Sequence, residues 1–341
     1  ADARLVADRF GTTHHEIELS LDDEDLDLAG LVWCLDEPVA DLSTLGFLKL
    51  SALAARHVTV ALTGQGADEL FGGYRKHQAA ALCGSLPGPI KAAFATLGAR
   101  GPRRFRRLAA TLGATTPGER LLAMSGQLLP DQRPRLLRGL PPTLQRSPAL
   151  GLIQQHLGSL RGDPLAETLF LDAQLALPDN MLHYFDLAAM AHSLEARVPF
   201  LDHPLVEFCA MIPSHLKVRR FDRKYLLKRV AADILPPRII DKPKIGFFRN
   251  SVDAWFDRQL PGLAAQWFGP AALMGEFVDM GQVTLLVGEH LAGRERSNQQ
   301  LILALLMLEV WLSVFLPRVS VSISPPYRYA MIIGEVICAF F

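Results

Sequence analysis

The sequence predicts an α/β fold in which a parallel sheet is joined to a large helical portion. Three observations carry this. Val58, Thr59, Val60, Ala61 and Leu62 form a short, uncharged, β-branched run that reads as a buried strand. Upstream of it, the patterning alternates between strand and helix, as crossover connections between parallel strands require. Downstream, Leu, Ala and Arg recur at helical spacing between Pro and Gly breaks, and few strand-like runs appear.

Taken in order, Ala3–Phe10 reads as a helix stopped at Gly11, followed by a strand-like segment through Ile17 and Leu19. The acidic run Asp22–Asp27 reads as a solvated loop leading into a helix N-terminus, where carboxylates are favoured. A second helix-like stretch runs from Ser43 to His57 and feeds the Val58–Leu62 strand. From 84 to 164 the pattern is short helices joined by breaks, with Arg103–Arg107 read as a solvated helix face. Leu165–Leu177 has helical spacing, and Pro178 is placed to start a further helix through Met190. Asp222 is placed to cap a helix that ends at Pro236-Pro237. Leu301–Leu316 is strongly apolar, but Glu309 interrupts it and it falls short of a membrane span, so a buried helix is expected. The resulting division is 1–83, 84–164, 165–258, 259–317 and a tail, 318–341, without an assigned role.

The chain has 341 residues, half of them hydrophobic and 21% charged, with zero formal net charge. That composition is globular, and its charge balance gives no general pull toward nucleic acid or an anionic membrane. Cys34, Cys83, Cys209 and Cys338 are scattered without a C-x-x-C pair, which argues against a zinc site and fits a reducing, cytoplasmic setting.

The segment most loaded with chemistry is Thr63-Gly-Gln-Gly-Ala-Asp-Glu-Leu-Phe-Gly-Gly-Tyr74, which directly follows the expected strand. Its glycines mark backbone that turns tightly or approaches another group closely. It is not a dinucleotide fingerprint, because Glu69 takes the place of the third glycine, and no Gly-Lys-Ser/Thr follows to make a Walker A loop. Carboxylates on a glycine loop at the end of a strand suit a phosphate ligand and its metal in an open α/β sheet.

This string resembles the second ATP-site motif of the asparagine synthetase family. Asp36-Glu-Pro38 with Asp41 resembles the family's preceding acidic segment. Leu177-Pro-Asp-Asn-Met-Leu182, Met190–His203, Lys224-Tyr-Leu-Leu-Lys228 and Lys242-Pro-Lys-Ile-Gly-Phe247 resemble its downstream signatures, in the same order. The resemblance implies a sheet of the ATP-pyrophosphatase (adenine nucleotide alpha hydrolase-like) type. It also implies adenylation of aspartate or another small carboxylate with ATP and Mg²⁺, followed by amide formation with ammonia from a glutaminase domain. In that reading Thr63, Gly64 and Gly66 lie along the nucleotide, and Asp68 and Glu69 hold the metal. Lys244 steadies charge on the leaving pyrophosphate, and Gln65 stands among the catalytic residues. A homodimer is a possible assembly. Glu195 and Arg197 are expected to form an ion pair that fixes their loop, with His192 and His203 ordering it.

Three departures from the family pattern stand out. The pyrophosphate loop Ser-Gly-Gly-x-Asp-Ser does not occur in the sequence and is expected upstream of Ala1, together with the glutaminase domain; the chain alone is therefore expected to make no AMP. Gln65 replaces the usual Glu, and an amide cannot take a proton. Leu187 stands where a cation is usual, which leaves the identity of the carboxylate open.

Overall fold

The computed structural model describes residues 2–18, 26–98, 101, 103–126, 128, 132–138, 148–157, 162–242 and 249–318. Its first helix, α1 (Asp2–Phe10), ends at Gly11 as expected, and Thr12–Glu18 then runs without regular structure. Helix α2 (Leu28–Leu35) is capped by Asp27, whose side chain accepts the Gly30 amide at 2.8 Å. Helix α3 (Ser43–Ala54) leads to strand β1 (Val60–Leu62). Strand β2 (Glu195–Arg197) lies parallel to β1, with Val60 opposite Glu195 and Leu62 opposite Arg197. Strands β3 (Val218–Arg219) and β4 (Asp222–Arg223) form a small antiparallel pair. The α/β expectation therefore holds at the coarse level, as a mostly helical protein with a small parallel sheet.

One expectation about β1 fails. The strand forms, but it is not buried, for Val60 is 39% and Leu62 74% exposed. The apolar burial lies in the helices, where α2, Arg249–Trp267 and Gln299–Phe315 pack the main core. In Gln299–Phe315 every residue from Leu301 to Val310 is buried, including Glu309. Among the described residues, Arg296–Phe315 is the one helix long and apolar enough to cross a membrane, and most of it is used by this core.

The middle of the chain consists of short helices separated by breaks, as expected: Gly88–Gly98, Arg103–Gly113, Pro117–Ser125, Arg133–Leu136 and Pro148–Leu157. Two residues of the basic cluster, Arg103 and Arg107, are tied into the fold and do not form the expected solvated face. Arg103 is buried and donates to Asn298 at 3.3 Å, while Arg107 donates to the Gly126 carbonyl at 2.6 Å. Both guanidiniums act as tethers. Pro178 does not start a helix either. It sits within a π-helical stretch, Asp172–Leu182, that continues Pro164–Leu171 into His183–Met190. The wider π turn eases the clash between the Pro ring and the carbonyl one turn earlier. Asp222 lies in β4 and pairs with Lys228 at 2.5 Å; it does not cap the helix Tyr225–Ala231. The tail beyond Arg318 lies outside the described residues.

Candidate active site

The pairing of β1 with β2 extends one residue further, where the Thr63 amide donates to the Arg197 carbonyl at 2.9 Å. The chain then turns through Gly64–Gly66 into the short helix α4 (Ala67–Phe71). Gly66 has φ +88°, and a Cβ there would meet Leu201 Cδ2 at 2.3 Å. The turn therefore both requires left-handed backbone and lies tight against the loop after β2. At the far end of α4, a Cβ on Gly73 would fall 1.6 Å from Asp68 Oδ1 and 2.5 Å from Lys224 Cε. Bare backbone at Gly73 is what lets Asp68 and Lys224 meet, with Lys224 Nζ 2.9 Å from Asp68 Oδ1. Arg223 secures the same turn by donating to the Gly73 carbonyl at 3.0 Å. The Lys224 motif is thus docked onto the glycine loop.

The two adjacent acids part company. Glu69 is only 3% exposed, and its Oε1 accepts the Tyr74 hydroxyl at 2.6 Å. Its Oε2 is buried without a hydrogen-bond partner among the described residues. Burial, and then the charge of Glu69 alongside, push the Tyr74 hydroxyl well above its usual pKa, which makes it a standing donor. Asp68 faces the other way, toward a cavity of about 400 Å³. Gln65, Asp68 and Tyr74 line one wall of this cavity, and Asp41, Leu42, Ser43 and Phe47 line the wall formed at the start of α3. Met181 and Tyr184 close a third side, and Val252, Asp253, Phe256, Gln299, Gln300 and Leu303 complete it. The size and the mixture of apolar walls with a few polar groups suit a small polar ligand.

Several of these polar groups are held in place. Asp41 Oδ1 accepts the Ser43 amide at 2.9 Å, and Asp253 Oδ1 accepts from Gln299 Nε2 at 3.0 Å. Burial, and then the negative charge of Asp41, raise the Tyr184 hydroxyl above its usual range.

Among the residues singled out in the sequence, Asp41, Gln65 and Asp68 reach the cavity, as do Tyr74 and Met181 of the recognised motifs. Thr63, Gly64, Gly66 and Glu69 shape the loop without lining it. Lys244 lies outside the described residues. Glu195 and Arg197 form the expected exposed pair at 2.8 Å, and His203 lies 3.8 Å from Glu207. Leu187 packs against the main core and is not among the residues that line the cavity. Sequence reasoning missed Tyr184, Asp253, Gln299 and Gln300. Only the Tyr184 segment carried a signal, through its place between two of the recognised motifs.

The asparagine synthase family model matches residues 1–313, nearly the whole described chain. The chain belongs to the asparagine synthase family. A Mycobacterium bovis protein named "Putative asparagine synthetase (glutamine-hydrolyzing)" is 29% identical over 333 residues, covering 94% of this chain and 49% of that protein. Asparagine synthetase (glutamine-hydrolyzing) 1 of Bacillus subtilis is 26% identical over 304 residues, covering 84% and 45% respectively. Amidase chyE of Penicillium rubens is 26% identical over 276 residues, covering 72% and 40%. The chain therefore spans about half the length of the curated relatives it matches. Within this family frame, the glycine loop, the acidic segment at Asp41 and the Leu177–Leu182 segment are the parts that meet at the cavity.

Proposed function

We propose that the full-length protein is a cytoplasmic, AMP-forming carbon–nitrogen ligase that adenylates aspartate and converts it to the amide with ammonia drawn from glutamine. The names of its relatives support the substrate. The observation that carries the reading is the convergence of Gln65 and Asp68 with Asp41 on one small cavity. β1 and β2 belong, in this reading, to a larger sheet of the ATP-pyrophosphatase type, and the chain by itself makes no AMP.

The residues present fit a magnesium–nucleotide complex. Carboxylate oxygens are the hard donors Mg²⁺ takes, and Asp68 and Asp41 both line the cavity. Asp68, on the cavity wall, would hold the metal, with Glu69 turned inward behind it to Tyr74, while Thr63, Gly64 and Gly66 lie along the nucleotide. When bound, Mg²⁺ neutralises polyphosphate charge so that a carboxylate can attack the α-phosphate. Lys244 steadies the pyrophosphate as it leaves, and this speeds the step only where it grips the transition state more tightly than bound ATP. Gln65 orients a partner by hydrogen bonding and transfers no proton. Neutral ammonia needs no base before it attacks, so the amide can form without a Glu at 65.

Because Gln65 lines the cavity, a second reading stays within the same chemistry: a relative that amidates a different small carboxylate, in the manner of β-lactam synthetases. Carboxylate-dependent exchange of pyrophosphate into ATP, measured for the full-length protein across a panel of acids, tests both. Exchange with aspartate alone supports the first reading, and exchange with another acid supports the second. A folded protein that exchanges with none overturns the function.

A further inference from the structure

Behind Tyr74 lies a buried group of charges that the proposed chemistry does not use. His77 is completely buried and Asp172 is 1% exposed, and His77 Nε2 stands 2.7 Å from Asp172 Oδ2. Lys76 Nζ donates to Asp172 Oδ1 at 2.7 Å and, more weakly, to Ser125 Oγ at 3.4 Å. The Lys76 ammonium also sits 5.5 Å from the centre of the Tyr74 ring. On its other side the imidazole meets the backbone, for the Tyr74 amide donates to His77 Nδ1 at 3.2 Å. An amide N–H can only donate, so Nδ1 must be the acceptor, and the single ring proton sits on Nε2 and points at Asp172. An imidazolium, or the other neutral tautomer, would set two N–H groups against each other.

We infer that His77, locked in its Nε2-protonated form by Asp172, is a positioning residue for the cavity: it fixes the Tyr74 turn, and Tyr74 in turn fixes Glu69. The chain of contacts is continuous. Asp172 lies in the π-helical stretch that also supplies Met181 to the cavity wall. His77, the third residue of helix α5 (Arg75–Ser85), joins that stretch to the helix's first turn. The Tyr74 ring lines the cavity, and its hydroxyl holds one oxygen of Glu69. A change of tautomer two bonds away therefore moves a wall residue and the carboxylate behind it together. The inference rests on the nucleotide reading for its kinetic consequence but not for its geometry.

Asp172→Asn separates the two, because it is isosteric. The new amide keeps its oxygen toward the Lys76 ammonium and turns its NH₂ toward His77. That forces the ring to accept on Nε2 and to carry its proton on Nδ1, against the Tyr74 amide. In the full-length protein, nitrogen-15 histidine spectra are expected to show His77 switch to the Nδ1-protonated pattern. Affinity for a fluorescent ATP analogue and kcat for AMP formation are expected to fall by about 10- to 100-fold, while KM for glutamine stays unchanged. Two variants at the ring distinguish positioning from mere packing. Asn at 77 places an acceptor near the old Nδ1, whereas Gln at 77 places a donor near the old Nε2. H77N is expected to retain most of the nucleotide affinity and H77Q to lose it. The inference is overturned if D172N switches the tautomer without changing nucleotide affinity, or if H77N and H77Q lose affinity equally and in step with their melting temperatures. Should the wild-type protein make no AMP with any carboxylate, the functional reading fails, while the spectra and analogue binding still decide this one.

Discussion

Single residues decide how tightly the glycine loop closes. Gly73 is the sharpest case, since any Cβ would occupy the space where Asp68 and Lys224 meet. Gly73→Ala is expected to cost about 1–3 kcal/mol by overpacking and to weaken binding of the ATP analogue, read by urea denaturation and fluorescence titration. Asp172 carries a pH signature. Burial raises its carboxyl, but the Lys76 charge and the His77 bond outweigh it and hold the pKa below the usual carboxylate range. A depressed acid contributes stability above its unfolded pKa and loses it as the pH falls through the folded value. Melting temperatures from pH 6 downward are therefore expected to fall below about pH 4 in the wild type, and less steeply in D172N. The glycines and Asp68 were legible in the sequence because the turn demands their types in a fixed order. The His77–Asp172 pair was not, since 95 residues separate its members and neither belongs to a recognised motif.

At the scale of elements, Glu309 shows how an apparent fault in an apolar helix serves the fold. Its two oxygens accept the Leu273 and Met274 amides at 2.8 and 2.9 Å, which ties Gln299–Phe315 to the turn Leu273–Glu276. Burial raises its carboxyl above the usual range, though the two amide bonds partly oppose this. Glu309→Ala leaves the buried Met274 amide and the part-buried Leu273 amide without this partner and is expected to cost about 2–4 kcal/mol in chemical denaturation. The sequence showed that this helix is buried, because apolar residues surround its whole circumference. It did not show what Glu309 holds, because the turn that donates lies 35 residues away. The same limit applies to Pro178 and to the Arg103–Arg107 cluster. Local propensity placed a helix start and a solvated face there, and packing against neighbouring elements produced a π stretch, a buried tether at Arg103 and a part-buried one at Arg107 instead.

For the whole molecule, the telling feature is where the apolar surface is left uncovered. β1 carries strand-forming residues of a buried type, yet Leu62 stands largely in solvent while the helices hold the core. If the sheet continues in the full-length protein, as proposed, Leu62→Lys has two different outcomes. In this chain alone it is expected to change stability by no more than about 0.5 kcal/mol. In the full-length protein it is expected to cost about 1–3 kcal/mol, the worth of burying such a side chain. Equal, small effects in both would argue against a larger sheet.

By itself, the sequence determined the family, the strand that leads into the glycine loop, the helical character of the middle of the chain and of the stretch around Leu301–Leu316, and Gln65 and Asp68 as candidates, both of which line the cavity. Each of these is written in local order, as a residue type at a fixed spacing. Tertiary structure alone decided that Tyr184, Asp253, Gln299 and Gln300 complete the cavity, that Glu69 turns inward to Tyr74, and that Leu187 joins the core. Those outcomes depend on which faces of distant helices pack together, a matter of summed burial over the whole chain that no short stretch of residues encodes.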